Sequence, residues 1–201
     1  MKKLTLSLLF IAGLSLTSLA QKIRTESGDL SFLKGQTELN IQYDFSDFQV
    51  GGFASEGDYK KKKIKEYNEK EAGRGDTWEK SWERDKKERF PNKFEELFDK
   101  GLSGKIHAAQ NNEKATYTLI VKTTFMEPGF NVGVMRKNAA VAFEYIFVES
   151  GDESKVMAKL KQPDVPGSQF GGYDYDTGTR ISESYAKGAK MLAAYMLKNM
   201  K

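Results

Sequence analysis

The segment 163–178 holds the residues whose types and spacing come closest to a chemical site. It reads PDVPGSQFGGYDYDTG, with three aromatic rings and three aspartates set among glycines and prolines. A rigid ring on a flexible backbone suits recognition, and loops often carry function. The candidate contact residues are Phe170, Tyr173, Asp174, Tyr175, Asp176 and, just beyond the loop, Arg180. We expect this loop to contact a protein or glycan, with packing of the rings beneath the loop as the alternative.

The run from Asp174 to Gly178 resembles the opening of a calcium-binding loop. An EF-hand needs oxygen ligands at positions 1, 3 and 5, glycine at position 6 and glutamate at position 12. Counted from Asp174, position 6 is Thr179 and position 12 is Tyr185, so the match fails where it is most diagnostic. We expect these aspartates to cap the last helix, whose N-terminal dipole favours negative charge. An unusual cation site stays open.

Glu127 and Glu144 are the acids in the most distinctive settings. Paired carboxylates carry out glycoside hydrolysis, but any two of the 28 acidic residues can be paired on paper. Glu127 opens the sequence Glu-Pro-Gly-Phe, which ends at Phe130 and has proline and glycine where a type II turn needs them. Glu144 interrupts a hydrophobic strand and is expected to face solvent. Glu127 and Phe130 therefore join the candidate contact residues.

The chain contains no strong signature of catalysis, cofactor binding or metal binding. His107 is its only histidine, and it has no cysteine and no G-x-S-x-G sequence. A histidine-rich zinc site, thiol chemistry and the usual nucleophile elbow are therefore excluded. We predict that His107 is a surface residue and that the protein uses no cofactor.

Two helical segments carry groups that could bind an anion or a sugar. Lys60–Lys65 is the one basic cluster, but Glu66 and Glu69 follow it at i,i+4 spacing, which favours a solvated helix face. Trp78 and Trp82 lie one helical turn apart and could stack on a sugar or a partner. We expect these rings to be buried against a sheet instead.

The elements that position these residues predict an α+β fold, because helices and strands are segregated along the chain. Period-2 alternation and capping pairs predict one strand, three helices, three strands and a C-terminal helix. The predicted segments are a strand at 37–45, helices starting at Ser55, Asp76 and Asn92, strands at 116–126, 139–149 and 155–161, and a helix at 180–200. We expect a four-stranded, mostly antiparallel sheet with the helices packed on one face.

Residues 1–20 have the pattern of a cleavable secretory signal. Lys2 and Lys3 precede an apolar stretch, and Ser18 and Ala20 supply small side chains before a cleavage point at Ala20–Gln21. We expect 21–36 to be a flexible leader and 37–201 a single domain without a transmembrane segment, periplasmic or secreted. Loss of the signal would lower the net charge from +4 to +2. This small excess does not support nucleic-acid binding.

Three stretches make the chain resemble a family of uncharacterised secreted proteins of Bacteroidota over roughly residues 37–200. They are YTLIVKTTFMEPGFN, AVAFEYIFVESGDESKVMAKL and RISESYAKGAKMLAAYML. More weakly, the order of elements resembles small domains of outer-membrane lipoproteins, such as the penicillin-binding-protein activators and the curli secretion protein. The chain lacks their lipid-anchor cysteine, so the resemblance implies no membrane attachment. It assigns no functional residue.

The sequence supports a non-catalytic binding or envelope-accessory protein whose partner is a protein or glycan of the cell envelope. The alternative is a carboxylate-based hydrolase acting on glycans or another envelope polymer, with Glu127, Asp174 or Asp176 as its acids. A third hypothesis is adhesion to anionic surfaces through Lys60–Lys65.

Overall fold

A computed structural model describes residues 22–132, 135–167 and 176–200 of the chain. Residues 1–20, which carry the expected signal, lie outside the described residues. Within the described ranges, no helix is long and apolar enough to cross a membrane.

The fold is α+β, as predicted, but its sheet is larger than the four strands expected. In the described residues the main sheet has seven strands: β1 (Arg24–Gly28), β2 (Glu38–Asp44), β3 (Gln49–Val50), β4 (His107–Gln110), β5 (Tyr117–Glu127), β8 (Ala140–Glu149) and β9 (Asp152–Pro166). Their order across the sheet is β1-β9-β8-β5-β2-β4, and β3 also pairs with β5. A separate two-stranded ribbon consists of β6 (Phe130–Val132) and β7 (Met135–Lys137).

The expectation of a mostly antiparallel sheet is wrong for one half of the sheet. Strands β1, β9, β8 and β5 are antiparallel neighbours, whereas β2 runs parallel to both β5 and β4. The reason is the helical segment between β2 and β5, because a long crossover returns the chain in the same direction. The three helices between β2 and β5 form such a crossover, and they therefore indicate that these two strands are parallel.

The segment 21–36, predicted to be a flexible leader, contains the edge strand β1. Arg24 pairs with Lys161 and Gly28 with Ala158 of β9. Leu30 and Leu33 then enter the core. The polar composition of β1 hid this strand, because all five of its residues are exposed at the sheet edge.

The strand β5 contains a bulge that changes which side chains face the core. Its register with β8 shifts between Thr123 and Phe125. Under strict alternation, Phe125 would share the buried face of Leu119 and Val121. Instead Met126 is fully buried while Phe125 is only half-buried. A bulge adds one residue to a strand and so reverses the alternation after it.

Four α-helices accompany the sheet: α1 (Glu56–Asn68), α2 (Arg74–Arg84), α3 (Phe90–Gly101) and α4 (Thr177–Asn199). Ser55 caps α1 as predicted, because its hydroxyl accepts a hydrogen bond from the amide of Asp58 at 3.1 Å. The predicted start of α2 at Asp76 is wrong. The cap is Gly73, whose φ of 81° is in the left-handed region that favours glycine.

Pro91 does not break the helical run, and the predicted start of a separate helix at Asn92 is wrong. A π-helical turn at Asp85–Arg89 joins α2 directly to α3, and Pro91 lies in the first turn of α3. Proline is tolerated there because the preceding π-helical turn already departs from the regular i→i−4 hydrogen-bond pattern. The chain is therefore helical without interruption from Arg74 to Gly101.

The core lies between one face of the sheet and the helices α3 and α4. Phe94 of α3 and Tyr185 of α4 both contact the ring of Phe143 on β8, with ring centroids 6.4 and 5.0 Å apart. Small residues let α4 lie close to the sheet. Gly188 shows it directly, since a Cβ there would lie 2.8 Å from Cε2 of Phe143.

Replacing Gly188 by valine should destabilise the protein by about 2–3 kcal/mol, because the added atoms overlap Phe143 and the hydroxyl of Tyr145. The small gain in helix propensity over glycine does not offset this overlap. Urea unfolding measures the difference. Ala194→Val is the matched control, since Ala194 is exposed on the same helix. Equal midpoints for the two variants would contradict the close packing.

Candidate functional site

A cleft of about 440 Å³ lies where the helical arm α1–α2 meets one end of the sheet. We call it the aromatic–basic cleft. It is lined by residues 50–53, by α1 together with Trp78 of α2, by the turn 127–130 with Lys137, and by Thr177 and Arg180. Three predicted contact residues, Glu127, Phe130 and Arg180, meet in it.

One wall of the cleft is a chain of aromatic rings. Tyr59 of α1 packs against Phe53 and Trp78 with ring centroids 5.6 and 5.7 Å apart, and Trp78 continues to Tyr67 at 6.0 Å. Tyr59 is buried, whereas Phe53, Tyr67 and Trp78 are half-buried. These three rings therefore present part of their surface to the cleft.

We predicted that both tryptophans are buried against the sheet. Only Trp82 is buried, and it packs on α1 rather than on the sheet. Trp82 packs on Tyr59 at 5.4 Å and donates its indole N–H to Glu56 of α1. Trp78 lies beside it and keeps an accessible surface. The two rings thus pack on α1, and only Trp78 lines the cleft.

The basic cluster divides between two faces of α1. Lys62 and Lys63 line the aromatic–basic cleft, where both ammonium groups approach the one carboxylate of Glu66 at 3.7 and 3.5 Å. Lys60 instead joins α1 to α2 through Glu79 and Glu83 at 2.8 and 2.6 Å. Lys61 and Lys65 lie away from the cleft and are exposed. The prediction of a solvent-exposed helix face is therefore correct for only part of the basic cluster.

Glu127 is positioned by the predicted turn. Gly129 has a φ of 64°, and its amide donates to Oε1 of Glu127 at 3.0 Å. The other carboxylate oxygen of Glu127 accepts from Nζ of Lys137 at 2.5 Å. Phe130 follows the turn with 43% of its surface exposed. The turn therefore places an ion pair and an exposed ring side by side at the rim.

Arg180 forms the floor of the cleft and is 5% exposed. Its Nε donates to the carbonyl of Pro128 at 3.3 Å, and its Nη2 donates to the hydroxyl of Thr177 at 3.0 Å. Nη2 also lies 3.5 Å from the carbonyl of Gly129. A guanidinium suits this position because its fixed fork of donors can reach several oxygens at once. Arg180 thus ties the turn 127–130 to the first turn of α4.

Asp176 caps α4, in agreement with the prediction. Its Oδ1 accepts from the amides of Gly178 and Thr179 at 2.8 and 3.3 Å, and its Oδ2 accepts from Arg89 at 2.7 Å. Burial alone would raise the pKa of Asp176, but the hydrogen bonds from Arg89 and Thr179 outweigh it and lower that pKa. Phe170, Tyr173, Asp174 and Tyr175 lie outside the described residues.

Asp176→Asn should lower stability at pH 7, and by less at pH 2. The folded protein holds the pKa of Asp176 below its ordinary value of 3.8, so the ion pair with Arg89 stabilises above that value and is lost as the pH falls through the lowered pKa. Urea midpoints at both pH values measure the effect. Asparagine still caps a helix, whereas Asp176→Ala should cost about 1 kcal/mol more at pH 7. A deficit of Asp176→Asn that is as large at pH 2 as at pH 7 would contradict the ion pair.

The remaining sequence candidates lie away from the cleft. His107 is exposed, as predicted, and its Nδ1 lies 3.1 Å from Asp99. Glu144 lies between the buried Phe143 and Tyr145 on β8 and is half-buried on the other face of the sheet. Among residues 22–132, 135–167 and 176–200, no cluster of histidine or acidic side chains has the geometry of a metal site.

Sequence reasoning missed Phe53, Tyr59 and Tyr67 as site residues. Tyr59 and Tyr67 lie on the highly charged helix α1, and Phe53 lies in a short turn after β3. The available signal was the excess of aromatic side chains on a highly charged helix. Aromatic rings on such a helix pack against a neighbouring element, and here they pack against α2 and the end of the strand at 50–53.

Fold and cleft together define an α+β protein with an aromatic and basic cleft. No protein-family model matches the chain, and no curated protein matches it. Solved structures that resemble it include two PelC dodecamers from Paraburkholderia phytofirmans and a DUF330 protein from Xanthomonas campestris.

The first PelC dodecamer, of a variant, is 12% identical with a TM-score of 0.41, and the match covers 86% of this chain and 94% of that one. The second is 12% identical with a TM-score of 0.38, over 85% and 96%. The Xanthomonas protein is 14% identical with a TM-score of 0.36, over 81% and 84%. At these identities and TM-scores the likeness assigns no residue and no function.

Proposed function

We propose that this protein is a non-catalytic binding module whose ligand site is the aromatic–basic cleft. The observation that carries the proposal is the convergence of Phe53, Tyr67, Trp78 and the cations Lys62 and Lys63 on one concave surface. Ligand sites are commonly concave, largely apolar, and supplied with a few placed polar groups. The cleft has this composition.

The two acids that line the cleft do not favour hydrolysis. Glu66 faces two lysines, and Glu127 is held by Lys137 and by the amide of Gly129. Glycoside cleavage needs two carboxyl groups that face the scissile bond, whereas these two are already engaged by lysine and amide partners. The arrangement therefore supports binding over the carboxylate-based hydrolase.

The place of action is the cell envelope or the outside of the cell. The secretory pattern at 1–20, with cleavage at Ala20–Gln21, supports export, as does the resemblance to secreted proteins of Bacteroidota. The partner is then a protein or glycan of the envelope. The 168–175 part of the sequence adjoins Thr177 and Arg180 along the chain, and we include it in the contact region.

Retention of envelope polymer by immobilised protein tests this proposal. Wild-type protein should retain fragments of the polymer, and Tyr67→Ala should retain at least about fivefold less, because it removes part of the aromatic wall. Tyr117→Ala is the matched control, since Tyr117 is half-buried against Phe32 and does not line the cleft.

The length of the eluted polymer separates the two functions. A binding module returns fragments of unchanged length, whereas a hydrolase shortens them with time. Equal retention by Tyr67→Ala and wild type would remove the cleft as the ligand site.

A further inference from the structure

The positive charges of the aromatic–basic cleft are not equally available to a ligand. Lys137 lies 2.5 Å from Glu127, and Arg180 is buried beneath the turn 127–130. Lys62 and Lys63 instead share the single carboxylate of Glu66 at more than 3.4 Å, beyond the 2.7–2.9 Å typical of a charge-assisted hydrogen bond. Among the described residues, Lys62 and Lys63 therefore leave one positive charge in excess over Glu66 at the mouth of the cleft.

Both of these ammonium groups lie over rings that line the same cleft. Nζ of Lys62 is 5.4 Å from the centroid of Phe53, and Nζ of Lys63 is 5.5 Å from that of Tyr67. An anionic group of a ligand that is bound by these lysines therefore lies next to the face of an aromatic ring. The complementary molecule has an apolar ring face with an anionic group at its edge, which is the chemistry of an acidic sugar.

Three of the described backbone amides around the cleft are already bonded and so do not form a phosphate cradle. Phosphate sites usually rest on free backbone amides at a helix N-terminus or nest. Here the amides of Gly51, Phe53 and Gly129 are already bonded to the carbonyls of Met126 and Val50 and to the carboxylate of Glu127. The anion must then be held by the lysine ammonium groups, which act as point charges.

Building on the proposed function, we infer that the cleft binds a uronic-acid unit of an acidic polysaccharide. The sugar ring lies against the aromatic wall, and its carboxylate meets Lys62 and Lys63. The volume of about 440 Å³ falls within the range of small-molecule sites. Lys62 and Gly52 are exposed, so the polymer can continue out of the cleft on their side.

Calorimetry with tetragalacturonate and its methyl ester tests the inference. The ester keeps the sugar rings and removes the charge, so wild-type protein should bind the acid at least about tenfold more tightly. Lys62→Gln/Lys63→Gln should weaken acid binding by roughly tenfold and ester binding very little. Lys61→Gln/Lys65→Gln makes the same change in net charge on the face of α1 away from the cleft and should bind like wild type.

The inference would be overturned if the two double variants lost affinity for the acid equally, because that result indicates diffuse charge attraction. It would also be overturned if wild-type protein bound the acid and the ester equally, or bound neither oligomer. Preferential binding of an acidic peptide or a nucleoside diphosphate over tetragalacturonate would also overturn it. If envelope polymer is still retained in a Tyr67-dependent way, the binding module stands and only the acidic sugar is removed. If that retention also fails, the cleft itself is not the ligand site.

Discussion

Phe94→Ala is expected to lower the free energy of unfolding by about 4 kcal/mol and the midpoint temperature by about 10 °C. Phe94 is 0% exposed, and its ring contacts those of Tyr43, Phe98 and Tyr145 at 5.9, 5.4 and 6.2 Å. It therefore joins α3 to both halves of the sheet. Alanine would leave a cavity that this close-packed cluster cannot collapse to fill.

Phe94→Leu provides the control for this cavity. Leucine refills most of the space, so we expect a loss of only about 1–2 kcal/mol. Thermal and urea unfolding of both variants measure the difference. Equal losses would show that the ring contacts, rather than the buried volume, stabilise the core. A loss below about 1 kcal/mol for Phe94→Ala would place Phe94 outside the core.

Arg180→Met is expected to remove about 3 kcal/mol of stability and to abolish ligand retention in the cleft. Methionine is similar in length but leaves the carbonyl of Pro128 and the hydroxyl of Thr177 without the hydrogen bonds of the guanidinium. Buried polar groups that lose their partners cost about 1–3 kcal/mol each. The turn 127–130 would then lose its anchor on α4.

Arg180→Lys separates charge from geometry at the same position. Lysine keeps the positive charge but cannot reach Pro128 and Thr177 with one fixed fork, so an intermediate stability is expected. If lysine restored wild-type stability, the charge alone would account for the role of Arg180. If Arg180→Met were as stable as wild type and still retained polymer, Arg180 would have no role in forming the cleft.

The N-caps of α1 and α4 and the Glu-Pro-Gly-Phe turn were predictable because their signals are local. Ser55 and Asp176 accept hydrogen bonds from amides two or three residues away, and the amide of Gly129 donates to the side chain of Glu127 two residues before it. The α+β class and the buried stripe of α4 were also predictable from periodicity. The number of strands was not, since β1 is an exposed edge strand, and β3 and β4 have two and four residues. Strands of this kind show little alternation.

The cleft could be predicted only in part. Glu127, Phe130 and Arg180 were candidates because a constrained turn and the start of a helix were visible in the sequence. Nothing local indicated that α1 would bring Lys63 and Tyr67 to that turn, because the residues are more than fifty positions apart. The faces of α1 could be assigned only once α2 and the turn at 50–53 were in place.

The uninterrupted helix from Arg74 to Gly101 is a single rod of roughly 40 Å. Its outer end carries Trp78 at the mouth of the cleft, and its inner end carries Phe94 in the core. We therefore expect ligand binding in the cleft to be coupled to the cooperative unfolding of the domain. A ligand bound at Trp78, as proposed, would restrain the same helix on which the core is assembled, so that binding would also stabilise the domain against unfolding without any disulfide.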